Sequence, residues 1–155
     1  PFGKTTALSQ FLASGHSQGW PAAWVSLDDS DNDPTRFWSY IAQALGTILD
    51  HVGQHLVATF QSPQPPSMQF VLTTLINEIT GSQEDLILLI DDYHVIDRRS
   101  IHDGLGFLVE NLPPLMHFII ATRTAPPTAI EPPEGPRGTD RSARHGAPFY
   151  VRRGN

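Results

Sequence analysis

The chain has 155 residues, enough for one domain with a buried core, and 39% of them are hydrophobic. Its formal net charge of −6 argues against a dedicated nucleic-acid surface, which normally shows as a basic patch. No apolar run reaches the roughly 18 residues needed to span a bilayer. The absence of cysteine excludes disulfides and thiolate metal sites. With no signal peptide before the first motif, we expect a cytoplasmic protein.

The first half of the chain predicts a helix, a strand and a second helix. Residues 5–14 carry apolar residues at helical spacing, and residues 22–27 form a short apolar run typical of a buried strand. An acidic loop follows. Asp33 and Pro34 then have the pattern of an N-cap with proline in the first helical turn.

The second half repeats this alternation. The proline-rich break at 62–66 precedes a predicted helix over 67–80, and the apolar run 86–90 predicts a strand covered on both faces. Residues 101–111 predict another helix and residues 117–122 another buried strand. Strands that alternate with helices favour a three-layer α/β domain, with a parallel sheet between two layers of helices.

Several side chains are expected to lie in the core. In the helix after Asp33 and the helix over 67–80, the inward-facing residues are predicted to be Phe37, Tyr40, Ile41, Ala44, Leu45, Ile48, Phe70, Val71, Thr74, Leu75 and Ile79. Trp24 and Trp38, like Phe37, are interpreted as core residues and not as a stacking platform for a ligand.

The start of the chain resembles the second half of a Walker A phosphate-binding loop. Phe2 and Gly3 precede Lys4, Thr5 and Thr6 at the start of a predicted helix. In such a loop the backbone N–H groups bind phosphate oxygens, the lysine reaches the β- and γ-phosphates, and the first threonine ligates Mg²⁺. The alternative is a chance match at a helix start, because the first glycine of the full motif would precede Pro1.

A Walker B pattern lies about 85 residues later. The apolar strand 86–90 is followed by Asp91 and Asp92. The carboxyl edge of an open α/β sheet is where ligands bind. Asp91 is predicted to hold Mg²⁺, and Asp92 to orient or polarise the attacking water. An ordinary solvated acidic turn is the alternative for this motif alone, but both motifs in this order favour nucleotide binding.

Three other polar features indicate a functional site less strongly than the two Walker motifs do. Arg123 follows the strand 117–122, where an arginine can contact a γ-phosphate, although a solvated strand-end arginine is the alternative. The acidic segment 28–33 lacks the glycine and distal glutamate of an EF-hand, which favours a turn with a helix cap. His94 and His102 have no third ligand spaced for zinc and are interpreted as non-metal residues.

Longer segments resemble the large ATP-binding LuxR-type, MalT-like transcriptional regulators of the STAND class of signalling NTPases. Residues 24–28 and 31–37 are similar to that family's W-L-S-L-D and D-N-D-P-x-R-F segments, which are far more specific than either Walker motif. Residues 88–96 are similar to its Walker B segment, and residues 121–123 to its sensor strand. The resemblance extends from residue 2 to about residue 127.

The resemblance implies an ATP- and Mg²⁺-dependent switch with slow hydrolysis and self-association through the NTPase domain. It also implies a helix-turn-helix outside this sequence, so the chain itself is not expected to bind DNA. Pro1 stands where the family usually has glycine, and the strand before the loop and the C-terminal lid are missing. The alternative is a degraded gene fragment or a protein-interaction module without nucleotide function.

Residues 128–155 depart from the family pattern and are treated as a separate segment from the partial P-loop NTPase domain at 1–127. They hold five of the 10 lysines and arginines and show no apolar periodicity, so we expect no regular secondary structure. One hypothesis is a shift of reading frame near Thr128, because codons moved by one base permit family-like sequence. A native disordered basic extension is the alternative.

Overall fold

The structure, a computed structural model, describes residues 19–122 and the backbone of residues 149–153. Short 3-10 helices at Asp29–Asn32 and Tyr93–Val95 follow the first two strands. The helices and strands are, in chain order, β1 (Ala22–Ser26), α1 (Pro34–Gly46), α2 (Gln54–Phe60), α3 (Met68–Ser82), β2 (Leu86–Asp91), α4 (Arg99–Glu110), β3 (Met116–Ala121) and β4 (Phe149–Arg153).

The described strands form one sheet in the order β1-β2-β3-β4, and the first three strands are parallel. Ser26 pairs with Asp91, and Ile90 pairs with Ile120, so all three parallel strands end at the same edge of the sheet. The α/β class and the parallel sheet are therefore confirmed. The three strands also match the predicted ones to within one residue at each end.

The main hydrophobic core lies between one face of the sheet and α1 to α4. Alternate strand residues such as Val25, Leu88 and Phe118 pack into it with buried helical residues such as Ile41 and Leu105. The other face of the sheet carries a second buried cluster, Ile87, Leu89, Ile119 and Ala121, with Trp20 and Ala22 packed against it. The helix expected at 5–14 lies outside the described residues, so the second helical layer stays a prediction.

Side-chain caps explain where the long helices begin. The Asp33 carboxylate accepts the N–H of Arg36 at 3.0 Å, and Pro34 occupies the first turn of α1, as predicted. Ser67 caps α3 by accepting the N–H of Phe70 at 3.3 Å. Among the described helices α3 is the longest, with 15 residues, and none of them is long and apolar enough to cross a membrane.

Helix α2 was not predicted, because its seven residues are too few to show a clear apolar period. It begins after Gly53, whose φ of +119° requires glycine. A Cβ at this position would also lie 2.6 Å from the carbonyl oxygen of Ala42, so glycine permits a close approach between the start of α2 and α1.

The core assignment of three aromatic residues was wrong: Trp24, Tyr40 and Phe70 are 42%, 37% and 61% exposed. Trp24 lies on β1, where alternation places Ala23 and Val25 against the helices and turns Trp24 to the other face. Tyr40 and Phe70 lie at the margins of their helices' buried stripes. Phe37 and Trp38, in contrast, are buried in the core as predicted.

Strand β4 was not expected, because no secondary structure was predicted after residue 127. The backbone of Phe149–Arg153 pairs antiparallel with β3, and Val151 is the register partner of Ile119. The outer edge of a buried strand offers unpaired N–H and C=O groups, and a strand can pair there without a strong pattern of its own. Residues 123–148 lie outside the described residues. The frame-shift hypothesis stays a prediction.

Candidate functional site

Asp91 and Asp92 lie at the carboxyl edge of the parallel sheet. Asp91 is the last residue of β2, after five fully buried apolar residues, and is itself half-buried. Its carbonyl oxygen accepts the N–H of Leu27 at 3.2 Å, which joins it to the end of β1. Its carboxylate Oδ1 accepts the N–H of Asp92 at 2.8 Å. This location, between the ends of two neighbouring strands, is the one that the Walker B pattern predicts.

Asp92 has a left-handed backbone conformation, with φ 58° and ψ 36°. For a residue with a side chain, this conformation costs roughly 1–2 kcal/mol, although aspartate and asparagine tolerate it better than most. It turns the chain from β2 directly into the 3-10 helix Tyr93–Val95, where the N–H of Val95 donates to the carbonyl of Asp92 at 3.2 Å. Strained residues of this kind are concentrated at functional sites.

A buried tyrosine connects this 3-10 helix to α4. The hydroxyl of Tyr93 lies 2.5 Å from Nδ1 of His102, and the two rings meet edge to face. Burial raises the pKa of Tyr93 above its ordinary value of 10.0. Burial also lowers the pKa of His102, against the opposing effect of Asp103 and Asp97. Both shifts favour a neutral pair, with the tyrosine as donor and the imidazole as acceptor.

The acidic segment after β1 is built as a turn and a helix cap. Asp28 accepts hydrogen bonds from the hydroxyl and the N–H of Ser30, and these two bonds lower its pKa. Asp31 is buried and accepts the N–H of Asp28 at 2.9 Å and Nε of Arg36 at 3.3 Å. Together with the Asp33 cap, these contacts confirm the turn-and-cap interpretation of this segment.

Asn32 is a residue of this site that sequence reasoning missed. Its side-chain Nδ2 donates to the carbonyl of Val95 at 2.8 Å, and its Oδ1 accepts the N–H of Asp97 at 2.9 Å. These bonds join the loops after β1 and β2, which are more than 60 residues apart in sequence. The available signal was the D-N-D-P segment, where the asparagine lies between two acids that have local capping roles.

The surroundings of Asp91 fit a magnesium ion in part. Mg²⁺ commonly binds one or two carboxylates, with waters and phosphate oxygens completing its octahedron. Asp91 supplies one such carboxylate at a sheet edge, and Thr5 is the second predicted protein ligand. Within residues 19–122, no group of three or more histidines and acids could hold a metal by itself. The Mg²⁺ site at Asp91 and Thr5 therefore stays a prediction.

Asp91 and Asp92 are consecutive in the sequence, and the other predicted site residues lie outside the described part of the chain. Those residues are Phe2, Gly3, Lys4, Thr5, Thr6 and Arg123. A polar cleft of about 300 Å³ lies beside the end of β1 and is lined in part by Ser26, Asp28 and Arg36. His94 lies in the middle of the 3-10 helix, and its buried Nδ1 has no hydrogen-bond partner among the described residues.

The chain is similar in sequence to several known proteins that carry the same name. The chain is 36% identical over 132 residues to a protein of Serratia proteamaculans named HTH-type transcriptional regulator MalT, a match that covers 83% of the chain. The protein of the same name from Klebsiella pneumoniae subsp. pneumoniae is 35% identical over 132 residues, also 83% of the chain. The one from Vibrio cholerae is 29% identical over 126 residues, or 81% of the chain.

The chain spans about 14% of the length of these curated relatives. No protein-family model matches it. Over about four fifths of its length, the chain is a MalT-like sequence, related to one segment of the transcriptional regulators of that name.

Proposed function

We propose that this chain is the ATP- and Mg²⁺-binding switch module of a MalT-type transcriptional regulator, with slow ATP hydrolysis. The observation that carries the proposal is the position of Asp91 and Asp92 at the carboxyl edge of a parallel sheet, directly after a fully buried strand. A carboxylate pair at this edge suits a cation and the water that attacks a phosphoryl group.

Binding would depend on Asp91 together with residues 2–6, which precede the described region. Lys4 would contact the β- and γ-phosphates, and the backbone of Phe2, Gly3 and Thr6 would surround the phosphate oxygens. Thr5 and Asp91 would hold Mg²⁺. When bound, the ion would neutralise charge between the β- and γ-phosphate oxygens.

Turnover would depend on two further side chains. Asp92 would accept a hydrogen bond from the attacking water and so orient it toward the γ-phosphorus. Arg123 would stabilise the charge that develops on the γ-phosphoryl oxygens, as a guanidinium does through paired N–H donors. We expect the rate to be slow, because in STAND-type switches hydrolysis resets the active state.

The wider role follows from the relatives. They are named HTH-type transcriptional regulators, and this chain covers about 14% of their length. We propose that DNA contact belongs to a helix-turn-helix outside this sequence, and that the present chain contributes nucleotide-dependent self-association in the cytoplasm.

The direct test is calorimetric titration of the folded chain with ATP, with and without Mg²⁺. A charge-assisted contact to phosphate contributes about 1.5–3 kcal/mol, so Lys4→Ala should weaken binding roughly ten- to a hundredfold. Arg99→Ala is a matched control, because that side chain is 94% exposed and its ion pair with Asp103 is long, at 3.9 Å. Equal ATP affinity in Lys4→Ala and the unmodified chain would remove Lys4 from the site, whereas no ATP binding by the unmodified chain would favour an interaction module without nucleotide function.

A further inference from the structure

The side-chain amide of Asn32 makes the two backbone hydrogen bonds that a residue of a neighbouring parallel strand would make. It donates to the carbonyl of Val95 at 2.8 Å and accepts the N–H of Asp97 at 2.9 Å, so one side chain satisfies two backbone groups two residues apart. Its Nδ2 also lies 3.3 Å from the carbonyl of Asp29 within its own turn. Both ends of the amide are therefore engaged, which fixes the orientation of the side chain.

The loop that Asn32 contacts begins at Asp92. The N–H of Val95 donates to the carbonyl of Asp92 at 3.2 Å, and the carbonyl of Val95 accepts from Asn32. A continuous series of hydrogen bonds thus extends from Asn32 through Val95 to the left-handed residue of the site. Because a left-handed backbone costs free energy in a residue with a side chain, contacts around Asp92 must maintain it.

The element that carries Asn32 is itself held firmly. The 3-10 helix Asp29–Asn32 has reciprocal capping bonds between Asp28 and Asp31, and Arg36 of α1 contacts the buried Asp31. The loop after β1 can therefore act as a fixed support for the loop after β2.

We propose that Asn32 is a positioning residue for the Asp91–Asp92 site, acting through Val95 to hold Asp92 in its left-handed conformation. The consequence for turnover rests on the proposed ATPase function, whereas the consequence for loop dynamics does not. Two further substitutions give matched comparisons. Asn32→Asp keeps the acceptor for Asp97 and loses the donor to Val95. Asn111→Ala removes an exposed amide that donates to the carbonyl of Phe107 one turn earlier in the chain.

The first experiment is amide hydrogen exchange by NMR on the full chain without nucleotide. In Asn32→Ala, the N–H groups of Asp92, Val95 and Asp97 should exchange at least tenfold faster, while those of β2 remain as protected as in the unmodified chain. In Asn32→Asp, Asp97 should stay protected while Asp92 and Val95 exchange faster. Asn111→Ala should change none of them. Faster exchange at Asp97 alone in Asn32→Ala would overturn the proposal, because it would show a contact that does not reach Asp92.

The second experiment is steady-state ATP hydrolysis. Asn32→Ala and Asn32→Asp should both lower kcat about tenfold and leave KM for ATP within about twofold, whereas a general loss of structure would change both. Unchanged kcat in both variants would overturn the positioning role. If the unmodified chain does not hydrolyse ATP, the proposed function fails, and the exchange experiment still decides whether Asn32 holds Asp92.

Discussion

The hydroxyl of Tyr93 lies 2.5 Å from Nδ1 of His102, and this contact joins the loop after β2 to α4. Tyr93 is buried, so its hydroxyl needs a partner inside the protein. A neutral imidazole provides one as an acceptor. A protonated imidazole has no acceptor nitrogen, so the bond in this form depends on His102 remaining neutral.

The first prediction is a pH dependence of stability that comes from His102. Burial lowers its pKa below the ordinary value of 6.5, so the unfolded chain binds a proton at a higher pH than the folded chain does. The stability that neutral His102 provides is therefore present above pH 6.5 and is lost as the pH falls through the lower, folded pKa. Melting curves from pH 7.5 to 5 should show a larger loss of stability in the unmodified chain than in His102→Gln.

Tyr93→Phe provides the companion measurement. Removing one hydroxyl should cost about 1 kcal/mol at pH 7.5, where the hydrogen bond is formed, and less at low pH. Parallel pH profiles for the unmodified chain and His102→Gln would contradict the assignment of this dependence to His102.

The second prediction separates the charge of Asp92 from its backbone conformation. Asp92→Asn removes the charge and keeps a residue that tolerates left-handed geometry, so ATP binding should be retained while turnover falls at least tenfold. Asp91→Ala should instead abolish the Mg²⁺-dependent part of ATP affinity. Calorimetry for binding and phosphate release for turnover distinguish the two. Hydrolysis at the unmodified rate by Asp92→Asn would remove Asp92 from the catalytic residues.

The conformation itself is tested by stability. Asp92→Ala should lower the free energy of unfolding by about 1 kcal/mol, because alanine adopts the left-handed region poorly. Asp92→Gly should be at least as stable as the unmodified chain and yet lack turnover. A less stable Asp92→Gly would indicate that the contacts of the aspartate side chain stabilise the fold by more than its left-handed backbone conformation destabilises it.

The third prediction concerns Gly104, in the buried face of α4. A Cβ there would lie 2.9 Å from Cζ2 of Trp38, a ring that is itself buried in the core. Alanine usually stabilises a helix interior by roughly 1 kcal/mol relative to glycine, but overpacking of a core costs about 1–3 kcal/mol. Because a buried indole ring would have to move to admit the methyl group, we expect Gly104→Ala to be destabilising by about 1–2 kcal/mol.

Gly81→Ala is the matched control. Gly81 lies near the end of α3, and a Cβ there has nothing within 4 Å. This substitution should therefore stabilise the chain by up to about 1 kcal/mol. Denaturant unfolding of both variants measures the difference, and a stabilised Gly104→Ala would show that Trp38 can move aside.

The parallel strands could be predicted because each is a continuous apolar run with a polar end, a local property. The positions of the two Walker B acids could be predicted from the same pattern, because they come at the end of β2 and therefore lie at the carboxyl edge of the sheet. The cap of α1 was equally local, because Asp33 and Pro34 act within one turn. In each case the signal spans fewer than ten residues.

Other features depend on contacts that no local pattern contains. The bonds from Asn32 to Val95 and Asp97 depend on how β1 and β2 pair, which brings distant loops together. The left-handed backbone of Asp92 lies in the second of these loops, and no local pattern of the sequence indicates it. Trp24 was assigned to the core from its apolar character. The pairing of β1 with β2, however, decides which side chains of β1 point toward the helices, and Trp24 is not one of them.

The last prediction concerns β4. Its backbone pairs with all but one residue of β3, from His117 with Arg153 to Ala121 with Phe149, and gives β3 a second neighbour beside β2. A chain ending at Pro148 should therefore show faster amide exchange in β3, because N–H groups on that edge lose their partners. If pairing contributes about 1 kcal/mol net, the Tm should fall by about 2–4 °C. Removing only residues 154 and 155 is the matched control, since it leaves β4 whole. Identical exchange in β3 for both truncated chains would mean that β4 adds nothing to the sheet, as the composition of residues 128–155 suggests.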